Sequence, residues 1–275
     1  MKKLLFFIVA AMFAVSCSED GGDVTGVDSP FGTGIVSFNI TPLLVVDGTR
    51  AQVNLPEGTV VPAGDDFALA IVGVDSDYQN EWASVAAFNE NYKKTYFKEG
   101  SYNATITYGD PSQEGENKPY FEATLGYNVV ARQHKKLDMQ AALANSIVKV
   151  EFTETFKSYF ENGAAIEILS GNGNEWVVDY TTSPYIFVES GKDLTISGSA
   201  IKQRPSANVE PETVNFLEVV KTMEACKMYL YKFDVSTAGC VSVNVTITNE
   251  PTEEVIVHDG FETNDDAIWD EPEQE

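Results

Sequence analysis

Side chains able to carry reaction chemistry are few in this chain, acids apart. Its 275 residues include two histidines, three cysteines and 42 Asp and Glu residues. Nucleophilic hydrolysis would call for Gly-x-Ser-x-Gly, phosphate binding for a Gly-rich loop ending in Gly-Lys-Ser/Thr, and zinc proteolysis for His-Glu-x-x-His. None of the three occurs. His134 sits among Arg132, Lys135 and Lys136 in what reads as a basic loop, and His258 lies in an acidic run, so neither has the neighbours of a general base. Glycosidase chemistry needs two carboxyls roughly 5 to 9.5 Å apart across a cleft, and nothing in the spacing singles out such a pair. Asp75-Ser76-Asp77-Tyr78-Gln79-Asn80-Glu81 begins like a calcium loop, but Asn80 stands where that loop requires Gly and Ala86 where it requires Glu. It reads as a polar loop. The expectation is a non-enzymatic chain with no metal, no cofactor and no catalytic residue.

Binding and anchoring have better candidates. Tyr78, Trp82, Tyr92 and Tyr96, with Phe97 beside them, fall in or near a loop-rich crossover, where exposed rings would stack on sugars or anchor a protein partner. Cysteine chemistry centres on Cys17. Lys2 and Lys3 precede an apolar run from Leu4 to Val15 that is too short to span a bilayer, and Ala14-Val15-Ser16 leads into Cys17. The stretch resembles a bacterial lipobox, in which the cysteine is diacylated and becomes the mature N-terminus. Ser18-Glu19-Asp20 with Gly21, Gly22 and Asp23 resembles the export flag of Bacteroidota surface lipoproteins. Two or three acyl chains anchor durably where one holds only reversibly. Residues 1–16 are therefore read as a signal peptide and 17–33 as a flexible tether, lipidated at Cys17. The chain is expected on the outer membrane, exposed at the cell surface.

Composition agrees with such a location. The formal charge is −24, and cleavage before Cys17 would remove Lys2 and Lys3 and take it to −26. Nucleic acid and anionic headgroups both need clustered Lys and Arg, so neither is an expected partner. A hydrophobic content of 43% supports buried cores, and a chain of this length divides naturally into two domains. Cys226 and Cys240 flank a predicted hairpin, Met228 to Val235 with Val241 to Thr248. That pairing places Cys240 opposite Val235 and Cys226 opposite Asn249, beyond the ~7 Å reach of a disulfide.

The elements that must position these residues are mostly strands. Val36, Phe38 and Ile40 alternate with Ser37 and Asn39, and Tyr102, Ala104, Ile106 and Tyr108 alternate with Asn103, Thr105 and Thr107. Phe67, Leu69 and Ile71 make a strand that is apolar on both faces, hence central. Trp82 to Phe88 reads as a short helix or an irregular crossover. Leu137, Met139, Ala141 and Leu143 keep odd parity, and the inward set then becomes Val148, Val150 and Phe152. A bulge or bend is expected at Asn145-Ser146, and the domain boundary with it. Thr153 is placed to cap a short helix carrying Phe156, Tyr159 and Phe160. Ile166 and Ile168 pair with Trp176, Val178 and Tyr180, and Tyr185 to Val188 reads as a hairpin with Leu194 to Ile196. Short strands, turns about every eight to twelve residues and little helix give an all-β fold of sandwiches with Greek-key connections. The first sandwich is assigned to 34–145 and the second to 146–249. Residues 250–275, with eleven acids and no Lys or Arg, are read as an acidic, disordered tail.

Five segments carry a family resemblance. They are Gly100-x-Tyr102, Thr105-x-Thr107-Tyr108-Gly109, Lys118-Pro119-Tyr120-Phe121-Glu122, Leu143-Ala144-Asn145-Ser146-x-Val148-x-Val150 and Phe156-Lys157-x-Tyr159-Phe160. In that order they resemble a family of Bacteroidota lipoproteins known as domain of unknown function 4493, over about Gly34 to Asn249. The resemblance implies a cell-surface lipoprotein with two tandem immunoglobulin-like or transthyretin-like β-sandwiches, similar in layout to fimbrial subunits. Three functions are consistent with it: a non-enzymatic adhesion, assembly or ligand-recognition module, a surface glycan-binding protein, and a fimbrial (pilus) subunit or accessory protein. The expected partners are outer-membrane lipid through Cys17 and an extracellular glycan or protein.

Overall fold

A computed structural model describes residues 24–25, 29–46, 53–161, 164–204, 206, 208–236, 240–247 and 253–258. The first half holds β1 (Val24–Thr25), β2 (Thr33–Pro42), β3 (Val45–Val46), β4 (Val53–Asn54), β5 (Ala68–Gly73), β6 (Gln79–Trp82), the helix α1 (Val85–Asn89), β7 (Phe97–Lys98), β8 (Gly100–Tyr108), β9 (Gly115–Glu116), β10 (Phe121–Val129) and β11 (Gln133–Leu143). The second holds β12 (Ser146–Phe152), the helix α2 (Glu154–Tyr159), β13 (Ala165–Ser170), β14 (Glu175–Val178), β15 (Ile186–Val188), β16 (Asp193–Ile201), β17 (Thr213–Thr222), β18 (Met228–Val235), β19 (Val241–Ile247) and β20 (Glu253–His258). The fold is all-β, built as sandwiches.

Burial of one face explains the strands. Along β8, Tyr102, Ala104 and Ile106 are buried and Asn103 between them is exposed, the period of two that a half-covered sheet imposes. The main sheet of the first half runs β6-β5-β8-β10-β11-β2-β7, with β1 against β11. Strands β10 and β11 share only the pairs Phe121↔Leu143 and Glu122↔Ala142 before they diverge. The sheet folds at that corner, and its two halves face each other across Phe38, Leu69, Ile106 and Met139. In the second half, sheet β20-β19-β18-β12-β15-β9 faces sheet β14-β13-β16-β17. Phe156, Ile166, Ile196 and Phe233 fill the space between them. The Thr153 hydroxyl accepts the Phe156 N–H at 3.0 Å and starts α2. So short a helix persists because Phe156, on its inward face, is wholly buried.

Several expectations change here. Strand β15 pairs with β12 and β9 while β16 pairs with β13 and β17, so 189–192 crosses between sheets and is not a hairpin turn. The reason is that Ile186, Phe187 and Val188 are all buried, with both faces covered. In the β18–β19 hairpin Val235 faces Val241, one residue on from the predicted register, because Ser236 N–H reaches the Cys240 carbonyl and closes a longer turn. Cys226 and Cys240 are not bridged to each other. Glu253–His258, read as tail, is an edge strand whose Val257 is buried, and Val24–Thr25, read as tether, pairs with β11. His134 lies within β11 and not in a loop. Trp82 ends β6, and the helix after it begins at Val85, capped by the Ser84 hydroxyl. Cys17 and residues 259–275 lie outside the described residues.

Candidate functional site

Three of the four aromatic candidates, Tyr78, Trp82 and Tyr92, pack against the first core as part of its wall. Tyr78 is half-buried, with its ring 5.4 Å from Phe97 and 5.6 Å from Tyr102. Burial pushes its phenol above the ordinary value, an effect that a hydrogen bond with Asn80 partly offsets. Trp82 meets Phe88 edge-on at 4.8 Å, and Tyr92 stacks on the His134 ring at 5.1 Å. Only Tyr96 is exposed, at 42%. None of the described ring contacts joins two of the four.

A more organised site lies where the sandwiches meet, on the 109–119 loop between β8 and β10. Strand β9 within that loop crosses over and pairs with β15, Glu116 against Ile186 and Gly115 against Phe187. Glu114 fixes the crossing. Its carboxylate accepts the Ser170 hydroxyl at 2.5 Å, the Asn172 amide at 3.1 Å, the Asn174 amide at 2.7 Å and the Glu189 N–H at 2.8 Å. Four donors on one carboxylate satisfy most of its lone pairs and hold it in one place. Behind the loop, buried Asn145 accepts the Tyr120 N–H at 3.2 Å and donates to the Lys118 carbonyl at 2.9 Å. The chain bends there from one sandwich into the other.

The loop pinned in this way borders a cleft of about 440 Å³. Tyr108 and Pro119 give it an apolar wall, and Asp110, Gln113, Asn117 and Lys118 give it polar groups. Tyr108 rests on Phe67, with ring centroids 5.9 Å apart. The Ser112 hydroxyl and N–H donate to Asp110 at 2.7 and 2.9 Å and hold its carboxyl below the usual range, so it remains an acceptor at neutral pH. Asn117 accepts the Val60 N–H at 2.7 Å, which ties the far wall to the loop, and its φ of 52° is a conformation Asn tolerates better than most residues. Lys118 reaches Gln113 at 3.4 Å. Gly109, at φ 89°, starts the loop where a Cβ would meet the Pro119 carbonyl oxygen at 2.5 Å. The set can donate and accept hydrogen bonds; it pairs no nucleophile with a base. Among the described residues no three His, Cys, Asp or Glu side chains are placed to hold a metal ion, and no helix is long and apolar enough to cross a membrane.

The residue pattern singles out no part of this cleft. The signal is there in retrospect. Thr105 to Gly109 and Lys118 to Glu122, two of the segments that carry the resemblance, run directly into it. The family model described as a domain of unknown function, DUF4493, matches residues 32–258. The chain belongs to the DUF4493 family. Comparison of this DUF4493 chain with curated proteins gives no match. Among solved structures it is similar to a candidate cell adhesion protein of Bacteroides eggerthii, with 7% identity, a TM-score of 0.41 and coverage of 82% of this chain and 97% of the other. It is also similar to a candidate polysaccharide-binding protein of Bacteroides thetaiotaomicron, with 12% identity, a TM-score of 0.40 and coverage of 78% and 97%. A third is a candidate cell adhesion protein of Parabacteroides distasonis, with 10% identity, a TM-score of 0.39 and coverage of 81% and 100%.

Proposed function

We propose that the chain is a lipid-anchored surface module that recognises a ligand outside the cell and does no chemistry on it. The observation that carries this reading is the junction cleft. Its walls come from a loop held by Glu114 on one side and by Asn145 and Asn117 on the other, so its side chains are positioned before any partner arrives. Preorganised hydrogen-bonding groups beside an aromatic ring suit selective, reversible attachment. The acidic chain, at −24, would stay solvated and apart from anionic membrane around it. Cys17 supplies the anchor, and the two sandwiches carry the cleft outward from it.

The test is made on cells. A strain lacking the chain should lose attachment to surfaces coated with host or microbial glycans and proteins, and the intact chain should restore it. Cys17→Ala should release the protein from the membrane and restore nothing. Unchanged attachment in the deleted strain on every surface would overturn the recognition reading. Retention of Cys17→Ala on the membrane would overturn the anchor.

A further inference from the structure

We infer that the cleft at the sandwich junction binds a short neutral oligosaccharide, with the Tyr108 ring against a sugar face and Asp110, Gln113, Asn117 and Lys118 on its hydroxyls. The inference rests on the recognition reading above and deepens it by naming the ligand class. A sugar is apolar across its C–H face and polar around its edge, and each hydroxyl both donates and accepts. The cleft has the matching distribution. Tyr108 and Val60 offer apolar surface, the Asp110 carboxylate accepts, the Lys118 ammonium donates, and the Gln113 and Asn117 amides do both.

Charge selects among saccharides. One carboxylate and one ammonium leave the cleft close to neutral, and the chain around it carries −24. Sulfated or uronic chains would be repelled on approach. A peptide is a poorer fit, since the cleft has a single aromatic wall and no pocket for successive side chains. Size agrees as well: about 440 Å³ falls within the roughly 300 to 1,000 Å³ of small-molecule sites. Room for hydroxyls exists in the hydrogen bonds themselves. The Lys118–Gln113 contact, at 3.4 Å, is long enough to yield to a better partner. Asn117 holds Val60 through its oxygen, and its amide nitrogen makes no described hydrogen bond.

The full-length chain, purified in detergent, is applied to an array of neutral gluco-, manno-, xylo- and galacto-oligosaccharides, with sulfated and uronic oligosaccharides as the counter-set. Calorimetry follows on the strongest neutral member. Binding is expected to neutral members and not to the counter-set, and Tyr108→Ala should weaken it by roughly tenfold or more. Gln113 and Lys118 are exposed, so Gln113→Ala and Lys118→Ala keep the test open if Tyr108→Ala fails to fold. Each should weaken the same interaction severalfold. The inference is overturned if the folded chain binds no neutral oligosaccharide, if it prefers the counter-set, or if Gln113→Ala and Lys118→Ala together leave binding unchanged. Attachment of whole cells separates the two levels. Cells that attach equally well with the cleft variants would sink this site and leave recognition standing, whereas absence of attachment through the intact chain sinks both.

Discussion

Tyr127 is a buried phenol whose hydroxyl makes no described hydrogen bond. Its ring lies between Phe38 at 6.2 Å and Tyr102 at 5.8 Å, which explains why an aromatic residue belongs there but not why it carries oxygen. An unpaired buried hydroxyl costs about 1–3 kcal/mol. Burial also pushes this phenol well above its ordinary value; it does the same at Tyr120, where the Glu122 charge adds to the effect, and it lifts Tyr180 to about 12. A raised folded pKa contributes stability that is whole below the unfolded value of about 10 and is lost as pH climbs through the folded value. The melting temperature should therefore hold through neutral and mildly alkaline pH, then fall from about pH 10 toward 12 and beyond. Tyr127→Phe should add roughly 1 kcal/mol at neutral pH and lessen the alkaline loss. Thermal melts across pH check both. A Tyr127→Phe protein less stable than its parent would mean that the hydroxyl is paired, for instance to a buried water.

Strand β9 is two residues long, and the Glu114 knot gives it more stability than its own pairing can. Removing a carboxylate that takes four donors leaves those donors to find water. Glu114→Ala should lower stability by about 2–4 kcal/mol, and Glu114→Gln, which keeps one acceptor and the side-chain volume, by less. Urea unfolding measures the difference, and faster cleavage after exposed Glu116 by a glutamate-specific protease should accompany it. An unchanged midpoint in Glu114→Ala would mean that the crossing is held by β9 alone. The same element marks where the sequence stops being legible. Strands such as β8 can be read because one buried face writes a period of two into the residues, and α2 because Thr153 stands three residues before Phe156. β9 has no such pattern. Gly115 and Glu116 are placed by backbone pairing to residues 70 and more positions away, and Glu114 by partners up to 75 positions distant. β15 misleads for a related reason, since Phe187 and its two neighbours are covered on both sides and no alternation survives. The cleft inherits this difficulty, because its far wall at Val60 lies 57 positions from Asn117.

The cores of the two sandwiches meet inside single strands. In β12, Ile147 packs into the first core and Val148 into the second; in β15, Phe187 faces the first while Ile186 and Val188 face the second. Losing either sandwich would therefore strip cover from strands that the other needs, and β9 would lose its partner at the same moment. Cooperative unfolding follows from that arrangement. Calorimetry of the intact chain should give one transition, with van 't Hoff and calorimetric enthalpies in agreement. Phe187→Ala removes a side chain worth about 3–5 kcal/mol in a packed core. Combined with Glu114→Ala it should split the melt into two transitions, each close to what one sandwich yields by itself. The consequence for recognition is direct. A cleft whose loop springs from one sandwich and is clamped on the other keeps its shape only while both are folded and docked, so the double variant should lose ligand before it loses either sandwich. Two separate transitions in the unaltered chain would show that the joint is weak, and the cleft would then have to be treated as a hinge whose walls move independently.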